Sequence, residues 1–257
     1  MRILIVNDDG ITAPGLAVAE TLAAGLGGAE AEIWVVAPEL ERSGASHAIS
    51  YVNPMRMVEL GPRRYAVEGF PADCALVGMR ALLKDTPPDL VISGVNRGHN
   101  VAEDVVYSGT VGAAMDAALN GARAIALSQA YAKGPEAPAD LWDPANAHGL
   151  ETLRQVMALP WRPGLFYNVN FPAVAPDAVK GLTVCPQGIR ANATYDVLPH
   201  TAPNGRVFHF LRHGLGNRTA EPGTDAALCA EGWITVTPCE PRITARDMLE
   251  AAGNALG

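Results

Sequence analysis

No stretch of this 257-residue sequence approaches the ~20 consecutive apolar residues that a membrane-spanning helix needs. The N-terminal apolar run, Ile3 to Val6, is cut off at once by Asn7-Asp8-Asp9 and is too short for the core of a secretion signal. No membrane partner is expected. Cysteine is scarce: Cys74, Cys185, Cys229 and Cys239 are scattered, and no two stand as Cys-x-x-Cys. That spacing fits reduced thiols in the cytoplasm rather than a disulfide framework. Positive charge is short as well, with 19 Lys and Arg against 27 Asp and Glu and a net charge of −8. Nucleic acid is therefore not an expected partner, because it takes a basic surface to displace counterions. Lysine is confined to Lys84, Lys133 and Lys180, which reflects genome composition rather than function. Internal repeats and low-complexity tracts are absent too.

What remains is a chain with 49% apolar residues, ample for a buried core, and 18% charged residues, too few for disorder. Ile3-Leu4-Ile5-Val6 is an unbroken apolar run, the mark of a parallel strand covered on both faces. Pro14 opens a helical spacing, Leu16, Ala19, Leu22, Ala23 and Leu26, which Gly27-Gly28 ends. Ile33 to Ala37 reads as a second strand stopped by Pro38. Strand, helix, strand is the unit of a parallel sheet. Further along, Pro71 to Lys84 reads as a helix, Leu90-Val91-Ile92 as a strand, and Ser93 to Asn100 as a polar, glycine-bearing loop. Thr110 to Asn120 reads as a helix, Ala124 to Leu127 as a strand, Pro144 to Leu159 as a helix, and Phe166 to Asn170 as a strand. Beyond Pro172 the pattern loosens, and 173–230 reads as an irregular, partly hairpin extension. Trp233 to Thr237 returns to strand, and Thr244 reads as the cap of a last short helix. The expected fold is α/β, a Rossmann-like three-layer sandwich with a mostly parallel sheet. The expected organisation is a catalytic core over 1–172 and a C-terminal extension over 173–257.

In open parallel sheets ligands bind beyond the carboxyl ends of the strands. Three polar clusters fall there: Asp8-Asp9, the loop from Glu39 to His47, and the segment from Ser93 to Thr110. Adjacent carboxylates repel and raise each other's pKa unless a cation sits between them, and a hard cation takes oxygen ligands. The bland alternative is one Asp capping the next helix and the other solvated; the strand-end position and Gly10 favour the cation. Ser108-Gly109-Thr110 precedes a helix, where free N–H groups and two hydroxyls suit a phosphate. Plain capping by Ser108, with Gly109 allowing close packing, fits that tripeptide equally well. Asn96 and Asn100 offer neutral oxygens nearby, though loop asparagines commonly just stabilise turns. Arg42 beside Ser43 suits an anion, yet a charged turn after a strand needs no ligand. His209 and His213 have a metal spacing only on a helix; on the strand expected there they stand ~13 Å apart. His47 and His99 sit in the polar loops, available for proton transfer or phosphate binding but equally ordinary as surface residues.

Together these residues resemble a known family. Ile3 to Gly10 is similar to the N-terminal signature of the SurE (survival protein E) nucleotidases. So are Val36-Ala37-Pro38 with Glu41-Arg42-Ser43, and Gly69 to Cys74. The longest match is Ser93 to Gly98, continuing through Asn100, Asp104 and Tyr107 to Ala113. Asn168 to Pro172, Thr224-Asp225 and Val236-Thr237-Pro238 extend it to the C-terminal third. The resemblance implies metal-dependent hydrolysis of nucleoside 5′-monophosphates, with 3′-monophosphates and polyphosphate as further substrates. It implies one divalent ion per subunit, Mg²⁺ or Mn²⁺, held by Asp8, Asp9, Ser43 and Asn96. It also implies a homodimer or homotetramer built by the C-terminal extension. The phosphate is expected on Asn96, Ser108, Gly109 and Thr110, and the chemistry on Asp8 and Asp9. The nucleophile is open between water and one of the aspartates. The sequence departs from the family at Phe70, where threonine is usual, so a hydroxyl is lost beside the site. Segment 186–223 matches only loosely.

Other classes share parts of this pattern. A receiver-like module also carries paired acids after its first strand, but it is about half this length and needs an acceptor Asp where Ser93-Gly94 stands. A haloacid-dehalogenase-type phosphatase needs Asp-x-Asp. A nucleotide-binding regulatory protein without turnover is the alternative that only an assay separates.

Overall fold

A computed structural model describes residues 1–131, 138–191, 195–213 and 219–256. In chain order its strands and helices are β1 (Arg2–Val6), α1 (Pro14–Gly27), β2 (Glu32–Pro38), β3 (Met57–Gly61), β4 (Arg64–Val67) and α2 (Pro71–Val77). Then come β5 (Leu90–Arg97), α3 (Asp104–Tyr107), α4 (Gly109–Leu119), β6 (Ala124–Gln129), α5 (Asp143–Met157) and β7 (Phe166–Phe171). The C-terminal part adds β8 (Leu182–Val184), β9 (Arg190–Ala191), β10 (Tyr195–Thr201), β11 (Val207–His213), β12 (Thr219–Ala220), α6 (Asp225–Ala230), β13 (Ile234–Cys239) and α7 (Leu249–Leu256).

Nine strands form one sheet in the order β3-β4-β2-β1-β5-β6-β7-β13-β8. From β4 to β7 all pairings are parallel, while β3 against β4 and β13 against β7 are antiparallel. The apolar run of β1 explains its central place. Ile3 and Ile5 point into a core with Leu16, Leu22 and Leu153 of α1 and α5. Leu4 and Val6 point the opposite way, into a core with Cys74, Val111 and Ala114 of α2 and α4. Alternate side chains of one strand thus feed both layers, which is why no polar residue interrupts it. Each fully buried Ile or Leu contributes about 1.5–3 kcal/mol of apolar burial. The architecture is the expected α/β sandwich. From β1 the chain moves outward through β2 to β4, then returns to the other side of β1 as β5. The direction of winding changes between β1 and β5, the place where such sheets bind ligands.

Three local expectations are corrected. Ser93 to Arg97 is not loop: β5 continues to Arg97, with Asn96 and Arg97 paired to Ser128 and Gln129 after a register shift. Gly94 makes this possible, because a Cβ there would lie 2.3 Å from the Leu127 carbonyl oxygen. The helix expected to run from Pro71 to Lys84 is regular only to Val77 and closes as a wider π turn over Gly78–Leu82. Thr244 caps nothing: a 3₁₀ turn over Arg246–Met248 leads into α7. Among the described residues no helix is long and apolar enough to cross a membrane.

Candidate active site

Asp8 and Asp9 follow β1 directly, and three other segments converge on them. The N-terminus of α4 is the first. Thr110 Oγ donates to Asp8 Oδ1 at 2.5 Å. Gly109 lies so close that a Cβ on it would stand 2.9 Å from Asp8 Cβ and 2.9 Å from Pro71 Cγ. The end of β5 is the second, where the Arg97 N–H donates to Asp9 Oδ2 at 3.0 Å. The loop after β2 is the third, where the Arg42 N–H donates to the Asp8 carbonyl at 2.7 Å. Asn7 buttresses the turn, its Nδ2 donating to the Gly10 carbonyl at 2.9 Å.

Burial dominates the electrostatics. Asp8 is 3% exposed, and its carboxyl is pushed up from 3.8 to about 6. Desolvation is the main cause; the Thr110 hydroxyl opposes it, and the charge of Asp9 reinforces it. Asp9 is raised too, by desolvation first, with Arg97 N–H opposing and Glu41 adding to the rise. Among the described residues no group of three or more His, Cys, Asp or Glu is disposed to hold a metal. An ion on this acid pair must therefore be completed by neutral oxygens.

The other expected residues are placed unevenly. Asn96 is buried, and its Nδ2 donates to the Gly98 carbonyl at 2.8 Å, which leaves the amide oxygen for another partner. Ser43 is exposed, on the loop pinned to Asp8, and its hydroxyl donates to Glu41 Oε1 at 2.9 Å. Ser108 caps α4, its Oγ accepting the Val111 N–H at 3.1 Å. Of Ser108-Gly109-Thr110, then, both hydroxyls have protein partners. Asn100 joins a buried network, donating Nδ2 to Ser128 Oγ at 2.7 Å and its N–H to Asn170 Oδ1 at 2.7 Å. His47 pairs with Asp116 on α4 at 3.1 Å, and His99 stands 3.7 Å from Asp104. His209 and His213 lie on β11, a strand.

Comparison with known proteins identifies the family. The family model described as Survival protein SurE matches residues 3–194. The chain belongs to the SurE family. A SurE 5′-nucleotidase from Roseobacter denitrificans is 49% identical over 253 residues, 97% of each chain. One from Cereibacter sphaeroides is 50% identical, again over 97% of each. The crystal structure of the SurE protein from Aquifex aeolicus superposes with a TM-score of 0.81 at 31% identity, covering 100% of both chains. Within this SurE chain the structure adds contacts that spacing alone did not give. Arg42 Cζ lies 5.6 Å from the centroid of the Phe70 ring. Arg190 is paired with Glu103 at 2.6 Å and Asp104 at 2.5 Å. Buried Asp225 accepts the N–H groups of Ala102, Gly188 and Ala226. Asp104 and Asp225 are marked by the resemblance, but Arg190 carries no local signal.

Proposed function

We propose that this chain is a divalent-metal-dependent phosphatase that hydrolyses nucleoside 5′-monophosphates to nucleoside and phosphate, with 3′-monophosphates and polyphosphate as secondary substrates. The observation that carries the reading is the Asp8-Asp9 pair, the first buried and the second half-buried, at the point where the winding of the sheet changes direction. Two adjacent carboxylates, both raised by desolvation and Asp8 to about 6, suit a hard cation. Asp8, Asp9, Asn96 and Ser43 are the ligand set, with Mg²⁺ or Mn²⁺, one ion per subunit. Ser43 needs only to exchange its bond to Glu41. The cation supplies Lewis acidity that offsets negative charge on the phosphoryl group.

The protein's own contribution is positioning. Thr110 fixes Asp8 through its hydroxyl, and Arg97 fixes Asp9 through its main chain. At the start of α4 the Val111 N–H is taken by Ser108 Oγ and the Thr110 N–H by Asp8, so the Gly109 N–H is the one left to favour a phosphate oxygen. Gly109 lets the helix start approach Asp8 closely. Asn96 presents its amide oxygen from the end of β5. The unit works as a homodimer or homotetramer in the cytoplasm. The exposed apolar hairpin β10–β11 supports the first point, and four free thiols support the second.

Release of inorganic phosphate from AMP and GMP with Mn²⁺, and its loss with a chelator, is the expected result. Tight nucleotide binding without phosphate release would make the chain a nucleotide-binding regulator and overturn the proposal. Asp9→Asn rescued in part by excess Mn²⁺ assigns that residue to the cation. No rescue, with a trapped phospho-aspartate, assigns it to covalent catalysis.

A further inference from the structure

Arg42 stands beside the acid pair without joining it. Its N–H is bonded to the Asp8 carbonyl at 2.7 Å, so the residue begins within one peptide of the site. Its neighbour Glu41 accepts the Ser43 hydroxyl instead. Among the described residues no carboxylate lies within ion-pair reach of the Arg42 guanidinium, and its buried Nε has no hydrogen-bond partner. What holds the group is a ring, since Cζ lies 5.6 Å from the centroid of Phe70, within cation–π range. Phe70 is itself held. Its N–H donates to Asp73 Oδ2 at 2.8 Å, and Asp73 also takes the Ser50 N–H and hydroxyl. The next residue, Pro71, packs where a Cβ on Gly109 would be 2.9 Å away, as would Asp8 Cβ. Ring, guanidinium, helix start and acid pair are thus contiguous.

A half-buried guanidinium with donors to spare, beside a phosphate site, has an anion as its natural partner. We propose that Arg42 is a substrate-binding residue that donates hydrogen bonds to the phosphoryl group, and that Phe70 is the positioning residue that aims it. The proposal rests on the phosphatase reading above. The chemical class it selects is a phosphate monoester dianion. The ring matters because stacking fixes the plane of the fork while leaving its N–H edges to the ligand. A threonine at position 70 has no face to stack on, so Arg42 is held differently in a chain with threonine there.

The test compares Arg42→Ala, Arg42→Lys, Phe70→Thr and Phe70→Trp in the Mn²⁺-loaded, full-length protein. KM and kcat for AMP, the inhibition constant of inorganic phosphate, and the Mn²⁺ concentration for half-activation are measured. Arg42→Ala is expected to raise KM and the phosphate inhibition constant together, each about tenfold, with half-activation by Mn²⁺ unchanged. Arg42→Lys recovers only part of this, since a lysine lacks the fork. Phe70→Thr is expected to shift both constants in the same direction by roughly threefold, and Phe70→Trp to restore them. Should Arg42→Ala fail to fold, Arg42→Lys carries the comparison. Unchanged KM and phosphate inhibition in the Arg42 variants would overturn the substrate role. So would a change confined to Mn²⁺ activation. Wild-type constants in Phe70→Thr would overturn the positioning role. A wild-type protein that releases no phosphate from any nucleotide sinks the phosphatase reading itself, a result distinct from all of these.

Discussion

Asp8 holds its proton more tightly than an ordinary aspartate because the fold strips water from it before any cation is bound. Its folded value, about 6, lies above the unfolded 3.8. Between those two values the folded chain carries a proton that the unfolded chain has lost. This carboxyl therefore favours folding less and less as pH rises through that window, by on the order of 3 kcal/mol in all. A cation on the pair works in the opposite sense, since it binds the ionised form and displaces the proton. Mn²⁺ should then raise the melting temperature more at pH 7 than at pH 5, and Asp8→Asn should remove most of that difference. Equal shifts at both pH values would mean that Asp8 is not part of the metal site. Gly109 sets a second limit at this scale. A methyl group there meets Asp8 Cβ, Pro71 Cγ and Asp8 Oδ2 at 2.9–3.0 Å. Gly109→Ala is expected to cost roughly 1–3 kcal/mol of stability and to lower kcat/KM for AMP by tenfold or more, about 1.4 kcal/mol of transition-state stabilisation. A variant within twofold of wild type in steady-state assays would show that the close approach is not needed.

Between the elements, the segment that leads into α4 is anchored by a residue far away in sequence. Arg190 on β9 has a side chain only 8% exposed and closes on Glu103 and Asp104 at the start of α3. Its Nε adds a bond to Glu103 Oε1 at 2.7 Å. Arg190→Met keeps the bulk of the stem but leaves two largely buried carboxylates without their cation. The expected loss is about 3–5 kcal/mol, read from the urea midpoint. A loss under about 1 kcal/mol would assign the cluster to the weak class of surface pairs. This cluster also shows what a sequence hides. β1 is legible because Ile3 to Val6 is buried on both faces, and α1 is legible because Pro14 and Gly28 mark its ends. The acid pair is legible because it follows such a strand. Ser93 to Arg97 reads as loop because its side chains are polar. The backbone nevertheless stays in the sheet, with Ser93 and Asn96 buried and Arg97 exposed at its end. The β3–β4 pair carries Glu59, Arg63 and Arg64 with no clean alternation, since it forms the partly exposed sheet edge. Neither the Arg190 cluster nor the Thr110–Asp8 bond leaves a periodic trace. Each joins residues 86 or more positions apart, and only the folded topology brings them together.

For the whole molecule, the hairpin β10–β11 is the feature that one chain does not account for. It forms a two-stranded sheet of its own, paired from Tyr195 with His213 to Thr201 with Val207. Two strands alone are marginal in water. Leu198 stands opposite Phe210, and Phe208 follows on the same face, while Val197 stands opposite Leu211 on the other. Phe210 is 58% exposed and Leu211 75% exposed, so apolar surface is open on both faces. Such a patch is where the proposed homo-oligomer would assemble. Self-association would cover it with the least new chemistry, because every copy carries the same two faces. A change on one face should then weaken assembly only through that face. Phe210→Asp and Leu211→Asp are each expected to lower the mass found by sedimentation at micromolar protein, and the double variant to sediment as a monomer. Since the hairpin lies outside the nine-stranded sheet, all three should keep the helical circular dichroism of the wild type. A wild-type chain that is monomeric under those conditions, or a double variant that still assembles, would remove the hairpin from the oligomer interface.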